Sequence, residues 1–199
     1  MLKLVLASAS PRRIELLKQV GFEFDIMPAN IDEDSTGFFD AGKYALEMSR
    51  RKALLIAEKI RETSHNDTFV IGADTVVGID GHLLGKPNNQ DDAEAMLKLL
   101  ENRWHEVTTG LTLVRVRDLT VKSGTEVTRV KMSAYPKDLL DRYINTGEPY
   151  DKAGSYAVQG FGSLMVERIE GCYFNVMGLP LFRLSRMLEQ EGYGVLSWM

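Results

Sequence analysis

The apolar pattern of the chain predicts a strand, helix and strand as its backbone. Leu4-Val5-Leu6-Ala7 is a short unbroken apolar run and reads as a buried strand. Phe69-Val70-Ile71-Gly72-Ala73-Asp74-Thr75-Val76-Val77 is apolar on both faces, as a central strand must be. Between them, residues 40–61 read as one long helix, with Leu46, Ser49, Ala53, Ile56 and Ile60 forming an inward stripe at helical spacing. A shorter helix over 11–20 turns Leu17 and Val20 inward and stops at Gly21. Residues 22–27 alternate like a strand, and Pro28 ends it. Asp80-Gly81 is a tight hairpin turn leading back through His82-Leu83-Leu84.

The second half is read more coarsely. Residues 91–101 form a helix with Ala93, Met96, Leu97 and Leu100 inward. Residues 104–117 and 121–132 read as a partly exposed antiparallel pair. Lys122-Ser123-Gly124 is rich in turn formers, so the second of these strands could start later. A helix over 136–145 buries Leu139, Leu140 and Tyr143 and closes at Gly147. A polar loop over 149–160, a strand over 163–169 and a last helix from Pro180, with Leu181, Leu184 and Leu188 inward, complete the chain. With no internal repeat or linker, residues 1–199 make one α/β domain, large enough to bury one core or to divide into lobes.

Several polar residues break this pattern. Lys52 stands one helical turn from Ser49 and Ile56, on or beside the buried stripe. It either snorkels to water or reaches a buried phosphate. Asp74 interrupts the central strand, where a carboxylate must be hydrogen-bonded, paired or metal-bound. Gly72 would admit another backbone or a ligand. Pro87 biases Lys86 to an extended conformation that could hold its amine toward a ligand.

The first strand runs into Ser8-Ala9-Ser10-Pro11-Arg12-Arg13. Ser10 suits a helix N-cap and Pro11 the first helical position. Both guanidinium groups would then cluster at a helix N-terminus, with its free N–H groups and positive dipole end. That is an anion site, and arginine matches phosphate oxygens in particular. The acidic loop Asn30-Ile31-Asp32-Glu33-Asp34 is either a solvated turn or, if it faces that anion, a holder of a divalent cation.

Charge narrows the partners. A net charge of −4 argues against a general nucleic-acid binder, and a basic cluster in an acidic protein fits a small anion. The single Cys172 excludes an intramolecular disulfide. His65, His82 and His105 are scattered and read as surface residues rather than metal ligands. No apolar run approaches membrane-spanning length, and the N-terminal run is too short for a secretory signal, so a cytoplasmic protein is expected. Walker, Rossmann and nucleophile-elbow fingerprints do not occur. The remaining inventory suits phosphoryl chemistry with a divalent cation.

Six ordered motifs add a resemblance. Ser8-Ala9-Ser10-Pro11-Arg12-Arg13, Gly72-Ala73-Asp74-Thr75-Val76-Val77, Gly85-Lys86-Pro87, Asp151-Lys152-Ala153-Gly154-Ser155-Tyr156, Gln159-Gly160 and Gly178-Leu179-Pro180 together resemble the Maf family over nearly the whole chain. The resemblance implies an elongated α/β mixed sheet flanked by helices. It also implies two lobes about a central cleft, similar to inosine triphosphate pyrophosphatases. It implies a nucleoside triphosphate pyrophosphatase that needs Mg²⁺, Mn²⁺ or Co²⁺, and a possible homodimer. By the same resemblance Asp74 is the proton acceptor. Ser8, Ser10, Arg12, Arg13, Lys52 and Lys86 bind the triphosphate, and Asp74 with Asp32 or Glu33 holds the metal. Arg12, Thr75 and Gln159 match the branch that prefers dTTP and UTP over 7-methyl-GTP. Gln159 can both donate and accept, as a uracil or thymine edge requires. Asn30 departs from the carboxylate or glycine of many relatives and leaves the metal ligands to Asp32 and Glu33. The alternatives are a 7-methyl-GTP pyrophosphatase and a nucleotide-binding regulator of septum formation.

Overall fold

The computed structural model describes residues 2–32, 40–64, 67–194 and 196. In chain order its elements are β1 (Lys3–Leu6), α1 (Pro11–Gln19), β2 (Phe24–Ile26), α2 (Ala41–Ile60), β3 (Thr68–Ile79) and β4 (His82–Leu84). Then come α3 (Gln90–Leu100), β5 (Trp104–Arg115), β6 (Thr120–Met132) and α4 (Lys137–Asn145). Three 3₁₀ turns, Glu148–Asp151, Ala153–Ser155 and Gly160–Met165, lead to β7 (Val166–Glu170), α5 (Tyr173–Val176) and α6 (Leu181–Glu189).

The strands form one mixed sheet in the order β2-β1-β3-β5-β6-β7, with β4 also on β3. β1 pairs in parallel with β2 and with β3, and the remaining pairs are antiparallel. Parallel neighbours need crossover helices. The β1–α1–β2 and β2–α2–β3 crossovers run in opposite directions along the sheet, so right-handed connections put α1 and α2 on opposite faces. The core agrees. Leu4, Leu6, Ile71 and Leu111 pack on Leu16 and Leu17 of α1 and on Leu184 and Leu188 of α6. Val5, Val70 and Val114 pack on Ala53 and Ile56 of α2. Farther along β3, Val77 and Ile79 join Leu97, Leu140 and Tyr143 in a separate cluster. Among the described residues no helix is long and apolar enough to cross a membrane.

α2 lies unusually close to the sheet because two glycines let it. A Cβ on Gly72 would sit 2.2 Å from the Ser49 carbonyl oxygen, and one on Gly110 would sit 2.1 Å from that of Ala45. Gly72 therefore admits another backbone, one of the two uses expected for it. Gly110 pairs with Asp74 across β3 and β5. Gly110→Ala is expected to push α2 outward and destabilise by about 3 kcal/mol, because the clash is with backbone. Thermal unfolding would read this as a fall of roughly 6–12 °C in Tm.

Several expectations need correction. β5 is buried along nearly its whole length, since α2 covers one face and α5 and α6 approach the other. β6 starts at Thr120, because the reversal falls at residues 116–119 with Leu119 at φ +56°, and Lys122-Ser123-Gly124 lies inside the strand. The strand expected over 163–169 begins only at Val166, after the 3₁₀ turn. His105 is not a surface residue. It is 3% exposed, its Nε2 lies 2.7 Å from Tyr156 Oη, and burial pushes its pKa down to about 4. His82 is exposed, and His65 lies outside the described residues.

Candidate active site

β1 stops at Leu6, opposite Ile71, and β4 does not begin until Leu84, opposite Val77. Between those points this edge of β3 has no strand partner among the described residues. The notch opens into a cavity of about 820 Å³. It lies beyond the carboxyl end of β1 and at the start of α1, where open α/β sheets bind ligands. Because β3 is bare there, residues from both of its faces reach the cavity.

Ser8, Ser10, Arg12, Arg13, Lys52, Asp74, Thr75, Lys86 and Gln159 all line it. Asp32 does not; it is exposed. Glu33 lies outside the described residues. These residues are thus brought together from five separate parts of the chain.

At the start of α1, Pro11 takes the first helical position as expected, but Ser10 makes no side-chain cap bond. Ser8 does the local tying instead. Its Oγ accepts from Ser10 N at 3.2 Å and from Arg13 Nη1 at 3.1 Å. Ser10 still occupies the N-cap position, and the start of α1 lines the cavity. The two arginines part company. Arg13 turns inward, and its Nε donates to Gly178 O at 2.8 Å and its Nη2 to Thr75 Oγ1 at 3.2 Å. Thr75 Oγ1 also lies 2.9 Å from Thr109 Oγ1. Gly178 stands at φ +102°, and a Cβ there would meet Thr75 Oγ1 at 3.3 Å. Arg13 is therefore a strut between α1, β3 and Gly178 as well as part of the cavity wall.

Arg12 reaches across the cavity mouth. Its Nη2 donates to Asp151 O at 3.4 Å, and its Nη1 lies 3.6 Å from Asp151 Oδ2. Burial tends to raise the Asp151 pKa, but Lys152 and Arg12 outweigh it and hold the carboxyl below its usual range. The wall on that side, residues 151–159, reads in sequence as a connector. Its anchoring is specific: Gly154 N donates to Gly85 O at 3.0 Å, which ties this wall to the Lys86 loop. Gly154 at φ +70° packs so closely on Val77 that a Cβ would lie 3.0 Å from it.

The floor holds an ion pair. Lys52 Nζ donates to Asp74 Oδ1 at 2.6 Å, and the two residues are 6% and 7% exposed. Lys52 neither snorkels nor stands alone, because the glycine contacts seat α2 low enough for its amine to meet β3. Burying either charge by itself would be costly, and the pair offsets that cost while keeping both groups at the cavity.

Among the described residues no group of three or more His, Cys, Asp or Glu is placed to share a metal ion. Asp74, paired with Lys52 on the floor, does not by itself make a resident metal site. It does fit a hard cation that arrives on phosphate oxygens, since Mg²⁺ commonly takes one or two carboxylates plus substrate phosphates.

Curated proteins resemble this chain over nearly its whole length. A protein from Acetivibrio thermocellus named dTTP/UTP pyrophosphatase is 46% identical over 99% of this chain and 99% of its own. One of the same name from Caldicellulosiruptor bescii is also 46% identical, over 99% of this chain and 98% of its own. A solved structure of a nucleoside-triphosphatase / dITP/XTP pyrophosphatase from Mycobacterium abscessus aligns with a TM-score of 0.40 at 14% identity, covering 68% of this chain and 76% of that one. The family described as Maf-like protein matches residues 3–191, so the cavity, its arginine-bearing helix start and its buried Lys52–Asp74 pair all fall inside that match, and the chain belongs to the Maf-like family.

Proposed function

We propose that this protein hydrolyses dTTP and UTP to the nucleoside monophosphate and pyrophosphate. The supporting observation is a buried carboxylate–ammonium pair on the floor of a cavity that also meets a basic helix N-terminus. The full-length relatives named for that activity support the choice of substrate.

The triphosphate lies along the α1 start. Ser8, Ser10 and the helix N–H groups hold phosphate oxygens, while Arg12, Arg13 and Lys86 oppose their charge. Arg12 exchanges Asp151 for phosphate when substrate enters. Asp74 orients the attacking water and takes its proton, and Lys52 holds the Asp74 carboxylate in line. Water attacks the α-phosphorus, and pyrophosphate leaves. A divalent cation, Mg²⁺, Mn²⁺ or Co²⁺, would be held by Asp74, with Asp32 or Glu33 as the other expected ligands. When bound, it offsets the charge that builds on the leaving pyrophosphate. Removing pyrimidine nucleotides, canonical or modified, is the role that follows.

Gln159 lines the same cavity as the phosphate residues, and with Arg12 and Thr75 it sets the base. Its carboxamide donates to O4 and accepts from N3–H of uracil or thymine. A panel of dTTP, UTP, CTP, dGTP and 7-methyl-GTP, assayed for pyrophosphate, tests the assignment. dTTP and UTP are expected to lead in kcat/KM. Gln159→Glu combined with Arg12→Trp is expected to lower kcat/KM for dTTP by about a hundredfold, because a half-buried acceptor would then face O4. An unchanged base preference in that variant would refute the specificity assignment.

A further inference from the structure

The segment that carries Gln159 is pinned on both sides by α4 and the turn that follows it. Tyr143, near the end of α4, accepts at its Oη from Ala157 N at 3.2 Å. Glu148, the first residue of the next 3₁₀ turn, accepts at Oε2 from Phe161 N at 3.0 Å and at Oε1 from Gly162 N at 2.9 Å. Gln159 therefore sits between two fixed points, two residues from each. Two amide bonds to one carboxylate are stronger and more directional than a neutral contact.

Glu148 is itself held. Its N–H donates to Thr146 Oγ1 at 3.1 Å, and its carbonyl accepts from Lys152 Nζ at 2.6 Å. Gly160, beside Gln159, stands at φ +69°, and a Cβ there would come within 2.4 Å of Glu148 Oε2. The close approach of this carboxylate to the backbone thus requires glycine at 160. Burial and the neighbouring Glu148 also push the Tyr143 phenol well above its usual range, so it stays a neutral partner. Neither Glu148 nor Tyr143 lines the cavity.

A connector needs no such clamp, whereas a side chain that chooses between bases does. Uracil and cytosine differ by which edge atoms donate and which accept. A carboxamide tells them apart only if its two ends are held in place, and a looseness of about 1 Å is enough to lose that. We propose that Glu148, supported by Tyr143, is a positioning residue that fixes Gln159 for base selection. The inference rests on Gln159 being the base-reading residue.

The test is a double-mutant cycle read as kcat and KM for dTTP and dCTP. Glu148→Gln leaves one carbonyl for two N–H groups. It is expected to raise KM for dTTP about tenfold, to change kcat by less than about threefold, and to cut the preference for dTTP over dCTP about tenfold. In a Gln159→Ala background the same substitution is expected to shift that preference by less than about twofold, because the two residues act as one unit. Loss of kcat on both nucleotides with preference intact would overturn the inference and make Glu148 a structural cap only. So would a preference shift that is as large without Gln159 as with it. If Gln159→Ala alone leaves the preference unchanged, the base-reading role itself fails; if Gln159→Ala abolishes it and Glu148→Gln does not, only the inference fails. Should Glu148→Gln not fold, Tyr143→Phe keeps the buried ring and removes the other clamp. It is then expected to reduce the preference about threefold, and no reduction would overturn the inference.

Discussion

Asp74→Asn is expected to lower kcat for dTTP by about a thousandfold, the scale of a lost general base. The substitution keeps the size of the side chain and an oxygen for Lys52 Nζ, which donates to Asp74 Oδ1 at 2.6 Å. What it removes is the ability to take a proton and the charge that draws a cation. KM for dTTP is expected to change far less, because Ser8, Ser10, Arg12, Arg13 and Lys86 remain to bind the triphosphate. Steady-state pyrophosphate release measures the effect, and thermal unfolding of the variant checks that the loss is chemical. Retention of more than about a tenth of the wild-type kcat would remove Asp74 from the chemistry.

Lys52→Met is expected to cost both stability and activity. Lys52 and Asp74 are 6% and 7% exposed, so methionine would leave the carboxylate buried without the ammonium now 2.6 Å away. Breaking a buried pair from one side costs about 3–5 kcal/mol. For a chain of 199 residues that is a fall of roughly 6–20 °C in Tm. The double variant Lys52→Met with Asp74→Asn is expected to recover most of the stability and none of the activity, since it buries no unmatched charge. Thermal unfolding of the two single variants and the double variant decides the point. Additive losses in the double variant would mean that the two residues are not energetically coupled.

Sequence patterns were informative where burial follows local periodicity. The apolar runs at 4–7 and 69–77 are β1 and β3, and the stripe from Ser49 to Ile60 is the buried side of α2. Lys52 and Asp74 stood out because each breaks such a pattern. Their pairing did not, because it joins residues on different elements and depends on how low α2 sits on Gly72 and Gly110. The inward turn of Arg13 was hidden for the same reason: its partner Gly178 O is 165 residues away. His105 reads as a surface residue because nothing in its sequence neighbours reveals that Tyr156 covers it. The wall at 151–159 has no periodicity at all. It is held by 3₁₀ turns, by glycines at positive φ and by single hydrogen bonds to other loops, none of which leaves an apolar signature. The acidic loop shows the opposite case: Asp32 carries the chemistry expected of a metal ligand, yet it is exposed and does not line the cavity.

The most direct measurement is the identity of the products formed from dTTP and Mg²⁺. Attack on the α-phosphorus in the Asp74 cavity yields dTMP and pyrophosphate in equal amounts. Formation of dTDP and phosphate, or tight binding of dTTP with neither pair of products, would contradict it.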